Sequence, residues 1–71
     1  MLKTIGNNCR EWRLKKGYLQ SDVARDTKYS IENVSAFENG RNDNYRIFAW
    51  YLLKGIPLKK LFEGVEDVKD L

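Results

Sequence analysis

Residues that break regular structure interrupt this chain at short intervals, and their spacing constrains the fold more than any other feature. Glycine stands at positions 17, 40, 55 and 64, and the only proline is at position 57. Between these positions apolar residues recur with the period of one helix face, and no segment alternates with the period of a strand. The chain has 71 residues, which suits one compact domain. The pattern therefore predicts an all-α domain of five short helices.

The first two predicted helices run from about Thr4 to Lys16 and from about Gln20 to Thr27. Thr4 is placed to cap the start of the first helix, and Gly17 is placed to end it. We expect the first helix to bury one apolar face, made of Ile5, Cys9 and Trp12.

Ser30 is expected to cap a third helix, because its hydroxyl can accept a hydrogen bond from a free backbone N–H in the first turn. This helix ends before Gly40, which suits the position after a helix C-terminus. Ile31, Val34 and Phe37 share one of its faces.

Two more helices are predicted in the second half of the chain. The fourth spans Tyr45–Lys54, with Asp43 or Asn44 as its cap and Gly55 at its end. The last one begins near Pro57. Its buried side is predicted to consist of Leu58, Leu61 and Phe62.

Cysteine and histidine usage excludes several classes of site. The chain has one cysteine, Cys9, and no histidine, so it cannot form an internal disulfide or assemble a zinc finger, and it lacks the commonest general base. We expect no metal, no cofactor, no small-molecule ligand and no enzymatic activity. No apolar run approaches the length of a membrane span, and the start Met1-Leu2-Lys3-Thr4 does not resemble a signal peptide. A reduced, cytoplasmic protein is expected.

The net charge of +3 is unevenly distributed along the chain. Glu63, Glu66, Asp67 and Asp70 follow Phe62 against a single Lys69, which leaves 12 basic and 6 acidic residues, or +6, in residues 1–62. We interpret residues 1–64 as the folded domain and residues 65–71 as a short acidic tail. A basic body of this kind suits an anionic partner.

The second and third predicted helices match a helix-turn-helix, in which two short helices are joined by a tight turn. In such a motif the first helix needs a small residue where the two helices cross, and Ala24 fits this position. The second helix must turn an apolar stripe inward, here Val34 and Phe37, and leave its outer face free for the major groove of DNA.

This region resembles the Cro/cI-type helix-turn-helix family, also called the xenobiotic-response-element family, which includes phage repressors and Cro proteins. The resemblance covers about residues 4–63 and lies in three stretches: Gln20-Ser21-Asp22-Val23-Ala24, Ser30-Ile31-Glu32-Asn33-Val34-Ser35-Ala36-Phe37-Glu38-Asn39-Gly40-Arg41, and Leu53-Lys54-Gly55-Ile56-Pro57-Leu58-Lys59-Lys60-Leu61-Phe62. It implies a five-helix, lambda-repressor-like domain in the cytoplasm of a bacterial host, at the nucleoid. The implied function is sequence-specific binding of double-stranded DNA and transcriptional repression, as a weak homodimer on a short palindromic operator.

The resemblance also implies roles for individual residues. The candidate base readers are Ile31, Glu32, Asn33 and Ala36, since Asn can bond adenine, Glu can accept from cytosine, and Ile or Ala can touch a thymine methyl group. The carboxylate of Glu32 is repelled by phosphates unless Lys28 or an arginine pairs with it. The candidate contacts to the DNA backbone are Gln20, Lys28, Tyr29, Ser30, Ser35, Asn39, Gly40, Arg41, Asn44 and Arg46.

Arg13 and Glu38 align with a buried ion pair of the family, and we assign them to stability and positioning. The expected dimer interface consists of Ile56, Leu58, Phe62 and Val65. The chain departs from the family at three positions: Lys28 replaces a frequent turn glycine, Lys54 replaces an apolar residue, and Pro57 replaces a capping serine. At Lys28 two outcomes are open, a non-glycine residue in the left-handed conformation or a turn of another shape.

Two other classes of function remain open. The same fold can serve as a protein-interaction module, such as an anti-repressor or an antitoxin-like regulator, and Glu32 and the acidic tail are compatible with this. An enzyme is the weaker alternative, because the sequence has no phosphate-binding loop and no Ser/His/Asp set.

Overall fold

The computed structural model describes residues 2–65, and this part of the chain is folded into five α-helices without a β-strand. The helices are α1 (Leu2–Lys16), α2 (Gln20–Thr27), α3 (Ile31–Glu38), α4 (Tyr45–Lys54) and α5 (Leu58–Leu61). The prediction of a compact, all-α, five-helix chain is confirmed. The predicted acidic tail lies outside the described residues except for Val65, which packs against the core.

Helix α1 begins earlier than predicted. It starts at Leu2, so Thr4 lies inside the helix and is not its cap. The first turn of α1 lies against the backbone that follows α3, because a Cβ atom on Gly40 would lie 2.5 Å from the Cα atom of Lys3. This tertiary contact is not visible in the local sequence.

The predicted caps of α3 and α4 are present. The hydroxyl of Ser30 accepts a hydrogen bond from the N–H of Asn33 at 3.2 Å. Of the two candidates for α4, Asn44 is the cap, and its Oδ1 accepts from the N–H groups of Arg46 and Ile47 at 3.0 and 3.1 Å. Side-chain caps of this kind contribute about 1 kcal/mol each.

The core is apolar and draws on all five helices and the α4–α5 connection. Its buried hydrophobic side chains are Ile5, Cys9, Trp12, Val23, Val34, Phe37, Ile47, Trp50, Tyr51, Ile56 and Leu61. Aromatic rings form much of it: the ring of Tyr51 lies 5.0 Å from that of Trp50 and 6.1 Å from that of Phe37, between centroids. Such pairs contribute about 0.5–1.5 kcal/mol beyond the burial of their area.

Helix α5 buries less than the sequence predicted. Leu61 is fully buried, whereas Leu58 is 63% exposed and Phe62 is 37% exposed. Ile56, just before the helix, takes the inward position instead. The prediction of three buried residues is wrong because α5 has only four residues. A single helical turn of this length directs only one of the three side chains, Leu61, into the core.

Two residues of α1 fix its position against the rest of the fold. A Cβ atom on Gly6 would lie 2.3 Å from the carbonyl oxygen of Phe37, so the backbones of α1 and α3 meet without a side chain between them. The buried amide of Asn8 donates to the carbonyl oxygens of Leu61 and Glu63 at 3.0 and 2.7 Å. Asn8 thereby satisfies carbonyl groups at the end of α5 that have no partner within that helix.

Lys54, which stands where the family has an apolar residue, lies on an aromatic surface. Its ammonium nitrogen is 5.6 Å from the ring centroid of Trp50 and 3.8 Å from the carboxylate of Asp26. Asp26 in turn accepts a 2.8 Å hydrogen bond from the indole N–H of Trp50. This cluster joins α4 to α2, and it lets the aliphatic stem of a lysine cover apolar surface.

Residues 2–65 contain no helix long and apolar enough to cross a membrane. In the same range, no three His, Cys, Asp or Glu side chains are grouped so that they could hold a metal ion.

Candidate nucleic-acid interface

Helices α2 and α3 are joined by only three residues, Lys28, Tyr29 and Ser30. Lys28 has a φ of 65°, so the first of the two outcomes open at this position, a left-handed residue in place of a turn glycine, is present. The two helices pack through Val23 and Val34, both fully buried. A short connection of this kind holds α3 at a fixed orientation relative to the start of α2.

The outer face of α3 carries the four residues predicted to read bases. Ile31, Glu32 and Asn33 are exposed, and Ala36 is half-buried. Ile31 was also predicted to share the inward apolar face, but 46% of it is exposed. The inward positions of α3 are Val34, Phe37 and Glu38.

An open groove of about 460 Å³ runs along this face and gathers residues from three parts of the chain. It is lined by residues that were all predicted to contact DNA, namely Gln20, Ile31, Glu32, Ser35, Ala36 and Arg41. Gln20 lies at the start of α2, four of the residues lie on the outer face of α3, and Arg41 follows Gly40 after the end of α3.

Other predicted backbone contacts surround the groove without lining it. Lys28 and Ser30 are exposed at one end of α3, and Tyr29 is half-buried beside them. Asn39 is exposed at the other end, where its amide nitrogen donates to the carbonyl oxygen of Ser35 at 2.9 Å. Asn44 uses its side-chain oxygen to cap α4.

Gly40 was predicted to contact the DNA backbone, but its own N–H already has a partner within the protein. The N–H of Gly40 donates to the carbonyl oxygen of Phe37 at 3.1 Å, and the N–H of Arg41 donates to that of Ala36 at 2.8 Å. These amides therefore complete the end of α3 and are not available to a phosphate. Gly40 is explained by its φ of 75° and by its contact with Lys3.

The charges at the groove are unequal. No acidic side chain among residues 2–65 lies within 4.0 Å of the guanidinium of Arg41, and Arg46 is also exposed and without such a partner in that range. Over the same range no cation pairs with Glu32, so neither Lys28 nor an arginine neutralises its carboxylate. The groove thus has a free cation at one end and an uncompensated carboxylate on α3.

Beneath the groove lies a buried hydrogen-bond network centred on Glu38, whose side chain is 1% exposed. Arg13 donates its Nε to Oε2 of Glu38 at 2.8 Å and its second terminal nitrogen to Oε1 at 3.1 Å. The hydroxyl of Tyr51 donates to Oε2 as well, and Nε2 of Gln20 donates to Oε1 at 3.2 Å. The remaining terminal nitrogen of Arg13 donates to the carbonyl oxygen of Tyr18 at 2.9 Å.

Two members of this network, Arg13 and Tyr51, have raised pKa values. Burial raises the pKa of Tyr51 far above its usual value, and the hydrogen bond with Glu38 raises it further. Burial lowers the pKa of Arg13, but its hydrogen bonds and charge attraction with Glu38 outweigh this, so the net direction is upward. The ion pair implied by the resemblance is present, and four donors satisfy its buried carboxylate.

Comparison of the chain with known protein families, with curated proteins and with solved structures found no match.

Sequence reasoning missed two members of the network. Gln20 was predicted to contact the DNA backbone and Tyr51 was given no polar role, yet both donate to Glu38. Gln20 and Tyr51 are 18 and 13 residues away from Glu38 along the chain. No local pattern connects residues at such distances, so only the packing of α2 and α4 around α3 reveals these contacts.

The predicted dimer residues do not form one exposed patch. Ile56 is 5% exposed and belongs to the core of a single chain, so its side chain is not available to a second copy. Leu58 and Phe62 are exposed, and Val65 is half-buried. Phe62 also helps to line an apolar groove of about 270 Å³, together with Leu2, Ile5, Phe37, Asn42, Asp43, Tyr45 and Phe48.

Proposed function

We propose that this protein binds double-stranded DNA in a sequence-dependent manner, with α2 and α3 acting as a helix-turn-helix, and that it represses transcription. The observation that carries the proposal is the groove along α3, where six residues predicted to contact DNA come together. α3 is exposed along this face, and its side chains there are short or of medium length. A helix with such a face can lie close to base edges in the major groove.

The charge distribution supports an anionic partner. Residues 1–62 carry a net charge of +6, and Lys28 and Arg41 are exposed at opposite ends of α3. Lysine and arginine that flank a recognition helix hold the phosphates on either side of the groove. Glu32 opposes this attraction, which suits a role in selecting bases rather than in general affinity.

We further propose that two copies act together on a short palindromic site. One recognition helix reads only a few base pairs, and family members place two copies about one turn of DNA apart. Leu58 and Phe62 are exposed apolar residues that a second copy can cover. The proposed place of action is the cytoplasm of a bacterial host, at its nucleoid, without a cofactor and without enzymatic activity.

Binding of labelled duplex DNA at increasing salt concentration tests the proposal. We expect measurable affinity for random duplexes at about 50 mM salt and a loss of several powers of ten by about 200 mM, because phosphate contacts release counterions. No binding to any duplex at the lowest salt concentration would overturn the proposal.

A matched pair of variants localises the contact. Arg41→Ala should weaken binding to all duplexes and reduce the slope of affinity against salt by about one. Lys15→Ala removes the same charge from the surface between α1 and α5, away from the groove, and should leave affinity nearly unchanged. Equal losses in the two variants would show that net charge, and not this groove, determines binding.

The apolar groove around Phe62 favours a second candidate, a protein-interaction module. Its lining includes the exposed side chains of Leu2 and Tyr45, and apolar surface of this kind often marks a protein partner. This candidate predicts no duplex binding at any salt concentration, so the same titration decides between the two functions.

A further inference from the structure

Gln20 has an unusual position, with one end of its side chain in the core and the other at the groove. Its Nε2 lies 3.2 Å from Oε1 of Glu38, and the residue lines the groove along α3. An ionised carboxylate can only accept hydrogen bonds. Gln20 must therefore turn its amino end inward, and the chemistry of its partner fixes the orientation of the amide.

Glu38 is itself held in place. Two nitrogens of Arg13 and the hydroxyl of Tyr51 bind its two oxygens from α1 and α4. The carboxylate cannot rotate away from Gln20 without breaking these bonds. The orientation of the Gln20 amide is thus determined by the core of the protein before any ligand arrives.

The outward end of Gln20 consists of the carbonyl oxygen and the second amide hydrogen. Every buried side-chain nitrogen or oxygen among residues 2–65 has a hydrogen-bond partner. The oxygen of Gln20 accepts no hydrogen bond from a residue in that range, so it belongs to the accessible surface. Gln20 therefore offers one acceptor and one donor beside Ser35 and Ala36.

We propose that Gln20 is a specificity-determining residue that reads adenine in the major groove, with its amide oriented by Glu38; this rests on the proposed DNA binding. Adenine presents an N6 amino donor and an N7 acceptor, which an acceptor and a donor on one amide complement. A phosphate offers only acceptors, so it can accept from the second amide hydrogen of Gln20 but leaves the carbonyl oxygen beside it without a donor. The orientation imposed by Glu38 thus favours a base edge over the phosphate contact that the resemblance implies.

Selection of binding sites from random duplexes tests this assignment. The unaltered protein should select adenine at one position of each half-site, and Gln20→Ala should lower that preference by about 5- to 150-fold. The slope of affinity against salt should stay the same, because no phosphate contact is lost. Uniform weakening on all sequences, with the slope reduced by about one, would show a phosphate contact instead and overturn the proposal.

Gln20→Glu provides a second arm, because a carboxylate offers acceptors without donors. This variant should shift the preference from adenine toward cytosine, whose N4 amino group donates. Retention of the adenine preference by Gln20→Glu would contradict base reading through this amide.

Glu38→Gln tests the orienting contact. An amide at position 38 can donate to the oxygen of Gln20, which releases the fixed orientation. We expect the adenine preference to weaken although Gln20 is intact, in a protein whose helical circular dichroism shows that it is folded. If this variant does not fold, Gln20→Glu remains decisive. An unaltered protein that binds no duplex overturns the proposed function itself, whereas selective binding with the same preference in Gln20→Ala overturns only this inference.

Discussion

The hydroxyl of Tyr51 donates a hydrogen bond to Oε2 of Glu38, inside a core that is otherwise mainly apolar. The same oxygen accepts from Nε of Arg13. α3 is therefore connected to α1 and α4 through one carboxylate, in addition to its apolar contacts. Because these bonds lie on the inner side of α3, they hold its outer face in one orientation.

Removal of one partner of the buried ion pair should cost more than removal of both. Arg13→Met leaves the carboxylate of Glu38 buried with its positive partner gone, and we expect a loss of about 3–5 kcal/mol in the free energy of unfolding. The double variant Arg13→Met, Glu38→Met should lose less than the sum of the two single variants. Urea denaturation of all four proteins measures this difference, and strictly additive losses would contradict the coupling.

Stability should fall as the pH rises above about 9. Burial raises the pKa of the Cys9 thiol from 9.0 to about 12, and the charge of Glu38 adds to the rise. Between these values the unfolded chain loses a proton that the folded chain keeps, so the free energy of unfolding decreases with pH. The stabilising contribution of the protonated Cys9 thiol is fully present below pH 9.0. The raised pKa of Tyr51 acts in the same direction at higher pH.

Cys9→Ala isolates the contribution of the thiol. Urea denaturation between about pH 8 and about pH 11 should show a shallower decline in this variant, by up to about 1.4 kcal/mol per pH unit. Identical declines in the two proteins would mean that other groups cause the loss.

Gly6→Ala should destabilise the fold although alanine is the better helix former. The added Cβ would lie 2.3 Å from the carbonyl oxygen of Phe37 and 2.8 Å from that of Glu38, both rigid backbone atoms. Crowding of this kind typically costs about 1–3 kcal/mol. Asn7→Ala, at an exposed position of the same helix, is the control, and a thermal melt compares the two. An unchanged melting temperature for Gly6→Ala would show that α1 and α3 separate easily.

Lys28→Gly should change stability and DNA affinity in opposite directions. The φ of 65° at Lys28 is unfavourable for a residue with a side chain and free of strain for glycine. We expect a gain of up to about 1 kcal/mol in the free energy of unfolding, together with weaker binding to duplex DNA because one cation is lost. Thermal melts and salt titrations measure the two effects, and a loss of stability would contradict the assigned strain.

Glu32→Gln should strengthen binding to random duplexes. The carboxylate is exposed on the groove face of α3 and has no cationic partner among residues 2–65, so it repels phosphates. We expect tighter binding at low salt, with a difference that shrinks as salt increases. Glu11→Gln, a carboxylate that pairs with Lys60 on the far side of α1, is the control. Weaker binding by Glu32→Gln would mean that Glu32 itself accepts a bond from the DNA.

Local signals in the sequence predicted much of the fold. The bounds of α2 and the caps Ser30 and Asn44 followed from residue types next to each other in the chain. Ile56 was assigned to the dimer interface together with Leu58, Phe62 and Val65. It lies between a glycine and a proline, and no periodic pattern there shows which side chains face inward. Its burial depends on the neighbouring helices, and the sequence does not specify how they pack.

The candidate site was predictable to a similar degree. The groove residues of α3 could be named because the period of a helix decides which positions share its outer face, whereas Gln20 and Arg41 were named from the family resemblance. The contact of Gln20 with Glu38 could not, because it requires the start of α2 to lie over the end of α3. The hydrogen bond from the N–H of Gly40 to the carbonyl oxygen of Phe37 could not be predicted either. A glycine in the sequence indicates conformational freedom, but it does not indicate a hydrogen-bond partner.

The contact of Asn8 with the end of α5 has a consequence for how this chain opens. A helix of four residues has almost no stability of its own, and Asn8 ties its last carbonyl groups to α1. Hydrogen exchange at the amides of Leu61 and Phe62 should therefore report a local detachment of α5, which is more frequent than unfolding of the whole domain. We therefore expect the C-terminal end of the domain to open as a unit of its own, which the amide of Asn8, the buried side chain of Leu61 and the ion pair of Lys60 with Glu11 hold closed.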